Sequence, residues 1–169
     1  MLQVARLLAD DASGAARWDS FVQACPAATF FHRAGWQAIL HDVFRHETHY
    51  LYVETEGRIE GVLPLARVKS LLFGHALVSL PFAVYGGVAA TSDAAADALE
   101  QEAQRLAQQL GVEHLELRNV TARHADWPMQ DLYVTFRKPL HADNAANMQA
   151  IPRKQRAMVR KGIKNELVS

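Results

Sequence analysis

Apolar and polar positions change period several times along the chain, and each change predicts an element. "VARLLA" (Val4 to Ala9) reads as a short first strand that ends in the turn "DDASG". In "AARWDSFVQAC", Trp18, Phe21, Val22 and Cys25 recur at helical spacing, and Pro26 stops that helix. A second helical face follows in "FFHRAGWQAILHDVF", marked by Trp36, Ile39, Leu40, Val43 and Phe44. "HYLYVETEGRIEGVLPLARVKS" is a hairpin of two alternating runs joined at Glu56–Gly57.

"SDAAADALEQEAQRLAQQLG" carries the clearest helix signal. Ser92 suits the N-cap, Asp93 the positive end of the dipole and Gly111 the stop, with Leu99, Leu106 and Leu110 as its apolar stripe. "VEHLELRNV" and "DLYVTFRKPL" read as two more strands, and the remainder is helical with a break near Pro152. The order β-α-α-β-β-β-β-α-β-β-α implies an α/β domain with a mixed central sheet flanked by helices.

Composition changes this picture at one place. From Ser70 to Ser92 there is no Asp, Glu, Lys or Arg, a length that suits a membrane span. Pro81, Gly74, His75 and the pair Gly86–Gly87 divide the stretch into strand-length runs, so two buried strands with a bend near Pro81 are expected, and no stable membrane insertion. Cys25 is the only cysteine, which excludes an internal disulfide and fits a reducing compartment. The N-terminus lacks the long apolar run of a signal peptide, so a cytoplasmic location is expected.

Charge changes it at another. Basic and acidic residues number 18 each, yet six of the basic ones (Arg153, Lys154, Arg156, Arg160, Lys161 and Lys164) fall in a tail with no acidic residue between Asn144 and Asn165. Ile151, Val159, Ile163 and Leu167 share one helical face there, through which the helix is expected to dock. Its charges then face solvent, a nucleic acid or an anionic precursor. No aromatic residue is interleaved for base stacking.

The motifs "TFFHRAGW", "GVLPLARVKSLLFGHALVSLPFAVYGG", "HLELRN" and "QRAMVRKGIKNEL" together resemble the FemA/FemB-related (FemAB) family, with the exosortase-associated (PEP-CTERM) branch nearest. The element order looks like the GNAT acyltransferase fold, and the resemblance covers nearly the whole chain. It implies a first GNAT-like half over 1–143 and a basic helical segment over 144–169 that leads into a second GNAT-like half in cis. The implied activity is transfer of an acyl or aminoacyl group to an amine of a cell-envelope precursor, peptidoglycan or exopolysaccharide. The donor would be an acyl-CoA or an aminoacyl-tRNA, so tRNA is a possible partner of the full-length protein.

The GNAT pattern has an Arg/Gln-x-x-Gly-x-Gly/Ala loop that cradles a pyrophosphate on backbone amides. "YGGVAATSDAAAD" lacks the Arg/Gln and places Asp93 and Asp97 where phosphate would sit. No CoA cofactor is therefore expected in this half, which would bind acceptor or act as scaffold. The alternative is a non-catalytic module that uses its basic helix on RNA or an anionic membrane surface.

Candidate substrate-binding residues carry two readings each. His32 and Trp36 are either a core histidine with a packed indole or, as the family motif implies, the lining of an acceptor cleft. Tyr85 and Gly86 belong either to a tight turn or to a ligand-facing loop where glycine permits close approach and positive φ. Arg118 is either a bidentate clamp for phosphate or carboxylate or the partner of Glu116. Arg156, Arg160 and Lys161 are either a solvated face or contacts to an anionic precursor at the junction with the second half. "HDVFRHETH" lacks the spacing of a zinc site, because His46 and His49 point to opposite faces at a helix-to-strand junction. No nucleophile has the local setting of a catalytic elbow, and catalytic residues are not assigned.

Overall fold

A computed structural model of the protein describes residues 2–70, 74–130 and 132–167. The chain is an α/β protein with a mixed sheet flanked by helices. It divides into two compact units, Met1–Ala125 and Asp126–Ser169.

The first unit runs β1 (Gln3–Leu7), α1 (Ala12–Ala24), a 3-10 turn (Phe30–His32), α2 (Gly35–Asp42), β2 (Glu47–Thr55), β3 (Arg58–Ser70), β4 (Gly74–Ser79), β5 (Ala89–Ala90), α3 (Asp93–Leu110) and β6 (His114–Glu116). The sheet order is β1-β2-β3-β4-β6, with β5 also on β3. All pairs are antiparallel except β4–β6, where Leu77 faces Leu115 in parallel register. Glu56 and Gly57 both take positive φ (51° and 78°), the geometry of a type I′ turn, and so carry β2 into β3 with the twist of the strands.

Alternation along β2 and β3 feeds two cores. Tyr50, Val62 and Ala66 meet Trp18, Val22 and Leu40 of α1 and α2. Leu51, Val53, Leu63 and Leu65 meet α3 through Ala95, Leu99, Ala103 and Ala107. The leucine stripe expected of α3 is therefore only partly right: Leu106 and Leu110 pack at its margin, and alanines at its centre let the helix lie close to the sheet. Ser92 Oγ accepts from Ala95 N–H at 3.2 Å and Gly111 adopts the left-handed stop, as the pattern required.

The segment expected as one helix from Phe30 to Phe44 is broken. Arg33 is extended (ψ 139°) between the 3-10 turn and α2, so His32 and Trp36 do not share a helical face. Within α2 the buried side chains are Gln37 and Leu40, whereas Ile39, and Val43 and Phe44 just after the helix, are exposed. Gln37 is turned inward by acceptors, the Leu7 carbonyl at 3.3 Å and Thr48 Oγ1 at 3.4 Å.

The charge-free stretch holds β4 and β5 with a bend between them; Leu71, Leu72 and Phe73 lie outside the described residues. Among the described residues no helix is long and apolar enough to cross a membrane.

In the second unit α4 (Asn144–Gln149) is capped by Asp143, which accepts from Ala145 and Ala146 N–H. Pro152 then separates it from α5 (Arg153–Lys164). The strand expected at "DLYVTFRKPL" does not form over residues 132–140, and Asp131 lies outside the described residues. Leu132, Val134 and Phe136 alternate as a strand would, but no described strand offers them a ladder, and they are exposed.

Candidate functional site

The parallel pair β4–β6 opens after Val78, and residues 80–88 loop out before β5 rejoins β3. Three of the residues singled out in the sequence converge on this loop. Arg118 supplies the carbonyl that accepts from Gly86 N–H (3.3 Å) and Gly87 N–H (3.0 Å). Its guanidinium donates to the Ala83 carbonyl at 2.7 Å and to Glu116 Oε1 at 2.7 Å, so it braces the loop from inside. Asn119 completes the brace by accepting from Val88 N–H at 2.9 Å, and Ser79 Oγ accepts from Arg118 N–H at 2.7 Å.

His32 reaches the same loop from the other side. It is 2% exposed; Thr29 N–H donates to Nδ1 at 3.0 Å, so Nε2 carries the proton and donates to the Gly87 carbonyl at 2.9 Å. Burial holds its pKa below the ordinary histidine value, although these two backbone bonds oppose the shift. The imidazole is neutral and committed at both nitrogens.

The glycines serve close approach, not unusual φ. A Cβ on Gly86 would lie 2.4 Å from Leu80 Cβ, and one on Gly87 would lie 2.0 Å from Asn119 Oδ1. The expected positive φ falls instead on Leu80 (53°) and Phe82 (70°), bulky residues for which it is strained. Leu80 is buried by that turn, while Phe82 is exposed and stacks on Phe44 at 4.2 Å between centroids. Tyr85 is half-buried on the loop. Trp36 lies among Phe30 and Phe31, with centroids 6.1 and 5.9 Å away.

Acids at the start of α3 gather on a single guanidinium. Arg123 donates to Asp93 (3.2 Å), Asp97 (2.6 Å) and Glu100 (3.0 Å), and His124 Nε2 lies 2.7 Å from the other Glu100 oxygen. Glu100 is 1% exposed. Neither Asn119 nor this Arg123–Glu100 cluster was singled out from the sequence. The available signal for Glu100 was its place on the buried helical face, one turn after Ala96 and one before Ala103.

Among the described residues no three His, Cys, Asp or Glu side chains gather as metal ligands. His46 stacks with Phe44 and Phe82, and His49 is buried in β2.

In the second unit, Arg160 and Lys161 are exposed on α5 and Arg156 is half-buried. Of the apolar stripe, Val159, Ile163 and Leu167 are exposed, as is Met158 beside them, and Ile151 is half-buried.

No protein-family model matches the chain, and no curated protein matches it in sequence. Solved structures similar to it in chain path include two acetyltransferases. One is a GNAT family acetyltransferase from Staphylococcus aureus, 12% identical, with 82% of this chain and 98% of that one covered and a TM-score of 0.48. The other is a ribosomal-protein-alanine N-acetyltransferase from Brucella melitensis, 16% identical, with 80% and 99% covered and a TM-score of 0.49. Identities this low transfer no residue role to this chain.

Proposed function

We propose that this chain is the first GNAT-like half of a FemAB-like acyl or aminoacyl transferase acting on an amine of a cell-envelope precursor, and that it binds acceptor or acts as scaffold without binding CoA. Support comes from the order of elements, from the parallel β4–β6 pair linked through α3, and from α1 and α2 lying on the sheet face opposite α3. The observation that carries the reading is the loop after β4. Amides of Gly86, Gly87 and Val88 already donate within the protein, and three carboxylates surround the one guanidinium at the start of α3. A pyrophosphate would find few free donors and net negative charge.

Hydrogen exchange of the chain with a phosphate-free, amine-bearing peptidoglycan stem peptide and with acetyl-CoA tests this. Protection of residues 80–88 by the stem peptide alone is the expected result; protection by acetyl-CoA alone overturns it. If only anionic vesicles give protection, and only on α5, the basic helix as a binding surface is the better reading, since its apolar stripe is exposed beside its cations.

A further inference from the structure

A cleft of about 710 Å³ lies between α1, the β2–β3 turn and the junction of β5 with α3, a volume in the range of small-molecule sites. It is separate from the loop at 80–88, and nothing in the transferase reading uses it. Phe21, Ala24, Cys25 and Ile59 give it an apolar floor, and Arg17 and Arg58 stand at its rim. Cys25 and Ile59 are 6% and 9% exposed and belong to the core beneath, so the floor is fixed by packing.

The polar lining is unevenly committed. Ser20 Oγ donates to the Ala16 carbonyl at 2.9 Å, and Thr91 Oγ1 to the Glu60 carbonyl at 3.1 Å. Ser92 Oγ caps α3. Arg17 is held by the Glu54 carboxylate and by the Gly57 carbonyl at 2.8 Å. Arg58 differs: it is 84% exposed, and its ion-pair partner, Glu60 Oε1, stands 3.8 Å away, beyond hydrogen-bond reach. The fork of donors on Arg58 is thus available beside an apolar floor. Glu60 on the same rim disfavours a polyanion.

From this we infer that the cleft binds a small aliphatic monocarboxylate, with its carboxylate on the Arg58 guanidinium and its chain on Phe21, Ala24, Cys25 and Ile59. A guanidinium matches a carboxylate through two parallel hydrogen bonds, and the apolar floor removes the chain from water. The site stands or falls independently of the transferase reading.

Octanoate titrated into the full chain by calorimetry is the test, with octanamide as the neutral isostere. Saturable one-to-one binding with a dissociation constant below about 1 mM is expected, weaker by about tenfold for octanamide and for Arg58→Gln. Ala24→Trp, which fills the cleft from an exposed helix position, should abolish it. Because Cys25 is the only cysteine, octanoate should also slow its reaction with a disulfide reagent. Absence of saturable binding, equal affinity for octanamide, or undiminished affinity in either variant overturns the inference.

Discussion

Gly87 and Gly35 look alike in the sequence and differ completely in what surrounds them. A Cβ at Gly87 meets Asn119 Oδ1 at 2.0 Å and Asn119 N at 2.7 Å, whereas a Cβ at Gly35 meets nothing within 4 Å. Gly87→Ala should therefore cost about 1–3 kcal/mol, the range for overpacking. Gly35→Ala, at the start of α2, should be neutral or stabilising by up to about 1 kcal/mol. Urea unfolding of both variants checks the contrast, and equal effects would remove the brace argument. The value of Gly87 was not readable from "YGG", because its constraint comes from Asn119, which lies on the far side of α3 in sequence.

Histidine burial gives a second consequence at this scale. His49 is 2% exposed, its ring nitrogens lack hydrogen-bond partners, and burial, aided by Arg6, pushes its pKa down to about 4. Glu47, 3.3 Å away, opposes that shift without reversing it. A depressed histidine pKa means the unfolded chain binds the proton first as pH falls below 6.5. Stability is thus fully present at neutral pH and is lost between about pH 6.5 and 4, by an amount on the order of 3 kcal/mol for His49. His32 acts with the same sign. Unfolding free energy should fall from pH 7 to pH 5 in the native chain, and less steeply in His49→Gln. A flat profile in the native chain would contradict this.

Among the elements, α3 shows what its pattern revealed and what it hid. Its caps and its limits follow from Ser92 and Gly111, local residues acting on their own backbone. Its buried acid does not: Glu100 is tolerated only because Arg123 and His124, well beyond the helix, supply the charge-assisted bonds. Arg123→Gln should consequently cost about 3 kcal/mol, as for one partner removed from a buried pair. Arg105→Gln, which breaks the exposed pair with Glu102, should cost no more than about 0.5 kcal/mol. Chemical denaturation of the two variants separates these, and similar losses would mean that Glu100 finds water or another partner.

The hairpin and the first strand of the charge-free stretch were legible for the same local reason as the caps of α3, whereas the second run forms a loop that ends in the two-residue β5. A polar Glu56–Gly57 turn and period-two alternation need no distant partner to be recognised. Residues 132–140 mark the opposite case, since alternation becomes a strand only where an edge accepts it.

For the whole molecule, the sheet and its two helical faces are fixed by patterning, whereas the candidate site is fixed by contacts distant in sequence. In the sequence His32, Gly87 and Arg118 are unrelated positions; only the folded chain shows them tied to one loop, His32 Nε2 to the Gly87 carbonyl, Gly87 N–H to the Arg118 carbonyl and the Arg118 guanidinium to the Ala83 carbonyl. That mutual commitment underlies the proposal that residues 80–88 form no working pyrophosphate cradle. Isothermal calorimetry of the chain with acetyl-CoA tests it most directly. No saturable heat is expected at ligand concentrations of tens of micromolar; a micromolar dissociation constant, about 8 kcal/mol of favourable binding, would contradict it.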